Sequence, residues 1–280
     1  MVVPITSSPA VEADDFVGVI DNPYLPLLPG SVWVYQGEDT FDIVRVTDDT
    51  KKILGVETTV VFDVAFSEGE VVEVTFDWFA QDEDGNVWYF GEDTKELENG
   101  RVVSIEGSWQ AGVDGAEPGI VMQASPRVGD TYAQENAPGI AEDAATIRSV
   151  RAVEEVPFGS FDGVLETHEF TPLDPSSLET KYYASGVGHI LTVDEPTGER
   201  EELVWFKAGE DPGGGGGKPG DDDEGEDGDR DDEDDEGDAD GLGSDAASPA
   251  SDAAGKHYVE ADDRPDAPVF HVWTDPFDLG

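Results

Sequence analysis

Residues 70–93, EVVEVTFDWFAQDEDGNVWYFGED, decide the fold class of this chain. Two runs rich in Val, Thr, Phe, Trp and Tyr flank Asp82-Glu83-Asp84-Gly85-Asn86. An Asp-Gly pair between β-branched and aromatic runs reads as a tight turn joining two antiparallel strands. With Asp84 and Gly85 as a two-residue turn, Asp82 opposes Val87, Gln81 opposes Trp88, Ala80 opposes Tyr89 and Phe79 opposes Phe90. Side chains alternate along a strand, so Phe76, Trp78, Ala80, Val87 and Tyr89 are expected on one face. Asp77, Phe79, Gln81, Trp88, Phe90 and Glu92 then share the other. Aromatic side chains on both faces need cover on both, either by core packing or as a ligand platform built from Trp78, Trp88, Tyr89 and Phe90.

Outward from this hairpin the chain reads as a series of short strands. Ser31–Gly37, Phe41–Thr47 and Val56–Ser67 precede it; Arg101–Gln110, Gly119–Gln123, Thr131–Gln134, Ala145–Glu154, Val164–Thr171, Leu178–Tyr183, Val187–Val193 and Glu202–Lys207 follow. Each is bounded by Pro, Gly or Asp, and the one helical candidate is Asp93–Asn99. The fold class expected is mainly β: an antiparallel meander forming a curved sheet, barrel or sandwich. Residues 1–16 read as a flexible leader, 17–209 as the β-domain, 210–245 as a Gly-rich linker with an acidic disordered segment, and 246–280 as a tail. Within that tail Val269–Trp273 is a candidate edge strand.

The chain of 280 residues carries 66 acidic against 15 basic side chains, a formal net charge of -51. Residues 1–209 hold 41 acidic and 11 basic groups, so the folded part is itself strongly acidic and the tail does not account for the excess. Such a surface self-repels until salt screens it, the pattern of halophilic adaptation, and it disfavours nucleic acid and anionic membranes as partners. Cysteine is absent, which excludes disulfides and thiolate metal sites. No apolar run reaches the length of a membrane-spanning helix, and MVVPITSSPAVEADD has neither the basic nor the apolar region of a signal peptide.

Three segments together, NPYLPLLPGSVWVYQG (22–37), AQDEDGNVWYFGEDTKELENGRVVSIEGSWQAGVDGAEPGI (80–120) and KYYASGVGHI (181–190), resemble a group of secreted, β-rich bacterial proteins with no assigned function. The resemblance covers about residues 20–207. It implies a β-rich fold and an extracytoplasmic location, against the alternative of the cytoplasm of a halophile, and it implies no activity.

Candidate chemistry is sparse. Asp82, Asp84 and Asn86 stand at alternate positions, as calcium ligands would, but Gly85 precedes Asn86 and Asp93 occupies the twelfth place, so the stretch departs from an EF-hand. Calcium is nonetheless the one cofactor the acidic loops and the 221–240 block would attract. His168 and His189 are the histidines of the β-domain and would serve a hydrolase if either lay beside a carboxylate. Nucleophile elbows, phosphate loops and dinucleotide fingerprints are missing. The leading expectation is a non-enzymatic extracytoplasmic β-domain that binds a small apolar or aromatic ligand or a surface partner. A calcium-dependent structural or adhesion protein and a His-carboxylate hydrolase are the alternatives.

Overall fold

A computed structural model describes residues 11–210. Residues 1–10 of the expected leader, the linker and acidic segment from residue 211, and the tail with Val269–Trp273 lie outside the described residues. The strands are β1 (Phe16–Val17), β2 (Val32–Gln36), β3 (Thr40–Ile53), β4 (Val56–Ser67), β5 (Glu70–Asp82), β6 (Val87–Glu98), β7 (Arg101–Ser104), β8 (Trp109–Gln110), β9 (Glu117–Met122), β10 (Thr131–Ala133), β11 (Glu135–Asn136), β12 (Ala144–Val156), β13 (Gly159–Phe170), β14 (Leu178–Ala184), β15 (Gly188–Asp194) and β16 (Arg200–Lys207). All pair antiparallel, in the order β10-β12-β13-β14-β15-β16-β2-β3-β4-β5-β6-β9-β11.

The two ends of that order are one piece of chain. Thr131–Ala133 pair with β12, and two residues later Glu135 and Asn136 pair with Pro118 and Glu117 of β9. Between them the amides of Gln134 and Glu135 both donate to the Asp143 carbonyl, at 2.7 and 3.1 Å. Segment 131–136 therefore bridges β9 and β12 and bends the sheet into a nearly closed barrel. Gly119 permits the seam: a Cβ there would lie 2.2 Å from the Gln134 carbonyl oxygen. The seam spans few residue pairs; the long-range closure is made by β16 on β2, from Lys207 with Val32 to Glu202 with Gln36.

The central hairpin differs from the expected register by one residue. Glu83, Asp84 and Gly85 form a three-residue loop, with the Asp82 amide donating to the Asn86 carbonyl and the Gly85 amide to the Asp82 carbonyl, each at 3.0 Å. Gly85 has φ of +93°, the glycine bulge that accompanies such loops. Ala80 now opposes Trp88, and Phe79 opposes Tyr89. Trp78, Ala80, Trp88 and Phe90 fall on the outer face, Phe79, Val87 and Tyr89 on the inner. Further along, Asp77 opposes Glu92, so Phe90 and Gly91 together face Trp78 in a one-residue bulge on β6. Gly91 is required there, because a Cβ would lie 2.2 Å from the Trp109 carbonyl oxygen.

Two more expectations are corrected. Asp93–Asn99 is not a helix: residues to Glu98 continue β6, with Thr94 opposite Thr75 and Glu98 opposite Arg101. The helix preference of Lys95-Glu96-Leu97-Glu98 amounts to tenths of a kcal/mol per residue, less than a strand gains by ladder bonds on both edges. The leader is packed from at least Ala13, where a 3₁₀ turn (Ala13–Asp15) leads into β1, and β1 pairs with β5 at Asp82 and Gln81.

Residues 20–30 plug one end of the barrel. Ile20 and Leu27 are buried in the main core with Trp33, Val46, Val61, Val87, Leu165 and Leu203. Asn22, 2% exposed, ties the plug to the central hairpin: its amide donates to Gln81 Oε1 at 2.8 Å and its Nδ2 to the Gly85 carbonyl at 2.8 Å. The Pro23 carbonyl accepts from Gly186 at 2.7 Å, and Trp33 Nε1 donates to the Val187 carbonyl at 2.7 Å. The three sequence segments of the resemblance thus meet at this one end, where they hold the plug.

The β12–β13 hairpin packs on the main core along its length. Register shifts between Ile147 and Val153 bend it, and at its tip the Phe158 amide donates to the Leu203 carbonyl at 3.0 Å. Phe158 also meets the Phe206 ring at 6.1 Å, and Val156 and Val164 of the hairpin are buried in the main core.

Candidate functional site

At the end opposite the plug the inner face is acidic, and it became so by strand alternation. Along β3 the inward series runs Val46, Val44, Asp42; along β4 it runs Val61, Asp63, Ala65; along β5 it runs Phe79, Asp77, Thr75 and Glu73. The carboxyls continue round the wall through Glu92 on β6, Glu135 on β11, Glu169 on β13, Glu179 on β14 and Glu201 on β16. Electrostatic coupling follows the same ring. Asp42 acts on Asp63, Asp77 and Glu201, while Glu135 acts with Glu92 and Asp143 across the seam.

Lys181 is the cation of this ring. Its Nζ lies 3.2 Å from Glu169 Oε2 and 3.4 Å from Glu179 Oε2. Glu169 Oε1 accepts from Thr167 Oγ1 at 2.8 Å, Tyr183 OH at 3.2 Å and Gln134 Nε2 at 3.3 Å. Burial alone would raise the Glu169 pKa, but Lys181 and these donors outweigh it, so the carboxyl lies below its ordinary value and stays charged. Glu169 in turn holds Lys181 well above the usual lysine value.

The other carboxyls are displaced the opposite way. Burial pushes Asp77 up to about 7, Glu201 to about 7 and Glu135 to about 8; Asp42 repels charge on Asp77 and Glu201, and Asp143 and Glu92 repel charge on Glu135. Asp42 and Asp63 are raised as well, each by burial first, and the Asp42 charge adds to the shift of Asp63. All five are half-buried, not sealed, so solvent reaches the inner wall at this end. Among the described residues no Lys or Arg lies within ion-pair distance of them.

Below the carboxyls lies an aromatic layer. Phe79 stacks on Tyr89 at 4.6 Å, and Tyr89 meets Trp109 edge to face at 5.5 Å. Tyr89 OH donates to Asp77 Oδ1 at 2.5 Å and Trp109 Nε1 to Glu135 Oε1 at 3.3 Å, which connects the layer to the acids above it. On the opposite wall His189 lies between Tyr35 and Tyr183, with ring centroids 5.0 and 5.5 Å away. Tyr132, 4% exposed, lines the seam; it opposes Ala145, which opposes Glu169 on the same face. The Tyr132 hydroxyl is a buried group without a hydrogen-bond partner, and the Asp42 and Asp63 carboxyls hydrogen-bond to each other.

The residues singled out in the sequence separate between two places. Trp78, Trp88 and Phe90 are buried in a second core on the outer face, 6%, 4% and 0% exposed. Phe16 covers them, 6.0 Å from Trp88 and 5.5 Å from Phe90, and Lys51 Nζ lies 3.1 Å over the Trp78 ring. Tyr89, 8% exposed, is part of the same buried cluster but turns its ring onto Phe79 and its hydroxyl to Asp77. Asp82 has both oxygens engaged: Oδ1 accepts from the Asn86 amide, and Oδ2 from Asn86 Nδ2 and Trp88 Nε1, all at 2.8 Å. Asn86 Oδ1 accepts from Ala124 at 2.9 Å, and Asp84 is exposed. Among the described residues no group of three or more His, Asp or Glu is arranged to hold a metal ion.

His168 and His189 lie on opposite faces of the wall and do not meet. His168 is 3.5 Å from Arg148 Nη2. His189 Nε2 is 2.9 Å from Thr192 Oγ1, and burial together with the Lys181 charge pushes its pKa down to about 4, so it is neutral at pH 7. The carboxyl ring, Tyr35, Tyr132 and Tyr183 were not marked in the sequence. Alternation identifies which residues share a face, but only the closed pairing order shows that these faces meet.

No family model and no curated protein matches the chain. Among solved structures, a crystal structure of a "putative lipoprotein" from Parabacteroides distasonis ATCC 8503 is similar over 66% of this chain and 99% of its own, with 13% identity and a TM-score of 0.29. At that distance the similarity transfers neither activity nor location. What stands is a β-rich, barrel-like domain with an acidic, solvent-reached end, in which no helix among the described residues is long and apolar enough to cross a membrane.

Proposed function

We propose that the protein is a non-enzymatic, extracytoplasmic binding domain that takes a small ligand with an apolar or aromatic body into the open end of its barrel. The supporting observation is the aromatic layer of Phe79, Tyr89 and Trp109, whose Tyr89 and Trp109 donate to the half-buried carboxyls Asp77 and Glu135. Eight-stranded barrels are just filled by side chains or one small ligand, and sixteen-stranded ones leave a channel. This ring is intermediate in strand number, and the plug fills its other end. His189 is packed between two tyrosine rings with its Nε2 at Thr192 Oγ1, which favours a structural place for it over a hydrolytic one. The resemblance of residues 20–207 to secreted proteins supports the location.

Titration with N-phenyl-1-naphthylamine, a neutral aromatic probe whose fluorescence rises on leaving water, tests this reading. One saturable site is expected, weakened about ten-fold in Glu201→Trp, which places an indole in the open end; ten-fold corresponds to about 1.4 kcal/mol. Probe binding that is unsaturable, or indifferent to Glu201→Trp, would refute it.

A further inference from the structure

We propose that β7 is a docking edge for a second copy of this chain: two β7 strands pair antiparallel about a two-fold axis and join two sheets into one. The inference concerns the outside of the barrel and stands apart from the binding reading above.

The free edge is set by the turn between β6 and β7. Asn99 and Gly100 both have positive φ, +52° and +70°, the two-residue turn in which the flanking Glu98 and Arg101 exchange bonds. Backbone groups alternate in direction along an antiparallel strand, so the amide and carbonyl of Val102 point away from β6. Among the described residues β7 pairs with β6 alone. Edge strands are ordinarily guarded by charge, proline or a covering segment. This one carries Val102, Val103 and, directly after it, Ile105, which are 53%, 54% and 64% exposed. In a chain with 66 acidic residues, three branched aliphatics on one open edge are an exception, and a further strand would cover them.

The sequence of the edge selects the occupant. Residues 101–106 read Arg-Val-Val-Ser-Ile-Glu. Antiparallel pairing about an axis between Val103 and Ser104 sets Arg101 against Glu106 of the second copy, and Val102 against its Ile105. Directly opposed side chains share a face, so two rows run across β6, β7 and the second β7. Glu98, Arg101 and the second Glu106 form a charged row with the cation between two acids. Leu97, Val102 and the second Ile105 form an apolar row. No other register of this segment with itself sets Arg101 against an acid. The two-fold axis repeats both rows, and pairing stops at two chains because it consumes both free edges. Its length is limited by the Asn99-Gly100 turn on one side. On the other lies the turn in which the Ser108 amide donates to the Ile105 carbonyl at 3.2 Å. So short a contact belongs with the weak, transient interfaces of under about 1,200 Å². Two acidic bodies also repel each other until salt screens them, so the pairing is reversible and favoured by salt.

Sedimentation velocity of the full chain is the test, at about 0.1 M and about 1 M NaCl, between which the screening length falls from about 10 to about 3 Å. A monomer is expected at the lower salt, and at the higher a monomer–dimer equilibrium with Kd on the order of 100 µM. Val102→Lys and Ile105→Lys, each present twice in the dimer, are expected to weaken it at least about ten-fold. A covalent trap reads the register. The chain has no cysteine, so Val102→Cys with Ile105→Cys places thiols only at the opposed positions, and oxidation at the higher salt should give a disulfide-linked dimer. Within one chain these positions are about 10 Å apart along the strand, too far to bridge. Leu173→Cys, exposed elsewhere on the surface, is the control and should stay monomeric. A chain that is monomeric at both salts and gives no linked dimer would overturn the proposal and leave the edge to a strand of another protein. Association indifferent to both lysine variants, or linkage as efficient through Leu173→Cys, would overturn it by moving the contact elsewhere. All substituted positions are exposed, so folding is not at risk, and a melt of each variant confirms it.

Discussion

The two ends of the barrel solve one geometric problem in opposite ways. A β-ring leaves two ends through which water can reach its interior. At the plugged end the chain supplies residues 20–30, anchored through Asn22 to Gln81 and Gly85, and the interior is dry, aliphatic and aromatic. At the open end the same strands turn Asp42, Asp63, Asp77, Glu135 and Glu201 inward, and the interior stays wet. The difference teaches that packing and polarity are divided along the strand axis. A few residues of travel along β3, β4 or β5 pass from packing to chemistry.

The largest effect that would break this division is expected at Lys181. Lys181→Met leaves Glu169, 8% exposed, with a charge and no counter-charge, and should lower the free energy of unfolding by about 3 kcal/mol in denaturant titration. Adding Glu169→Gln should recover most of the loss. If Lys181→Met were neutral, the open end would be no more than wet surface. At the other end, Asn22→Ala strands the Gly85 carbonyl and the Tyr24 amide and should cost about 1–3 kcal/mol with no dependence on pH between 5 and 8.

A pH series sharpens the contrast. Asp77, Glu201 and Glu135 have folded-state pKa values of about 7, 7 and 8, raised by burial above the unfolded carboxyl value of about 4. A raised carboxyl contributes its full stability below the unfolded pKa and loses it as pH climbs through the folded one. The Tm at fixed salt should therefore fall from pH 5 to pH 8. Asp77→Asn with Glu201→Gln should raise the Tm at pH 8, change it little at pH 5, and flatten the profile. A Tm that rises with pH would contradict the crowded ring.

The smallest effect concerns calcium. With both Asp82 oxygens accepting from Asn86 and Trp88, the hairpin loop has little to offer an ion, and calcium at constant ionic strength should leave the Tm of the chain in place. A shift that vanishes in Asp84→Asn would instead place calcium at this loop.

The strands were readable because each is a local pattern: Val56–Ser67 and Leu178–Tyr183 announce themselves by composition and by the turn residues around them. The hairpin loop misled by one residue because its geometry is set by Asp82, whose side chain bonds to Asn86 and Trp88, and Asp-Gly alone does not encode that contact. The one-residue slip exchanged the faces of the aromatics. Trp78, Trp88 and Phe90 went to the outer core, and Tyr89 joined Phe79 inside. The acid ring was illegible for a different reason. In a chain with 66 acidic residues a carboxylate carries no distinction until pairing shows which ones face inward. Tyr132 was likewise one tyrosine among seven until the seam placed it beside Glu169.

The pairing of β16 with β2 sets the order in which the molecule can be made. Val32 meets Lys207, so the ring's most distant strands in sequence are neighbours in space. A ribosome releases β2 long before β16 exists, and until then β2 presents an unpaired edge with Trp33 and Tyr35 on it. Closing a loop of that span carries a large entropic cost and makes such topologies slow folders. During synthesis the half-made barrel is an open, apolar-edged sheet. The acidity that runs through residues 1–209, read above as adaptation to salt, also keeps neighbouring unfinished chains apart while that edge waits for its partner.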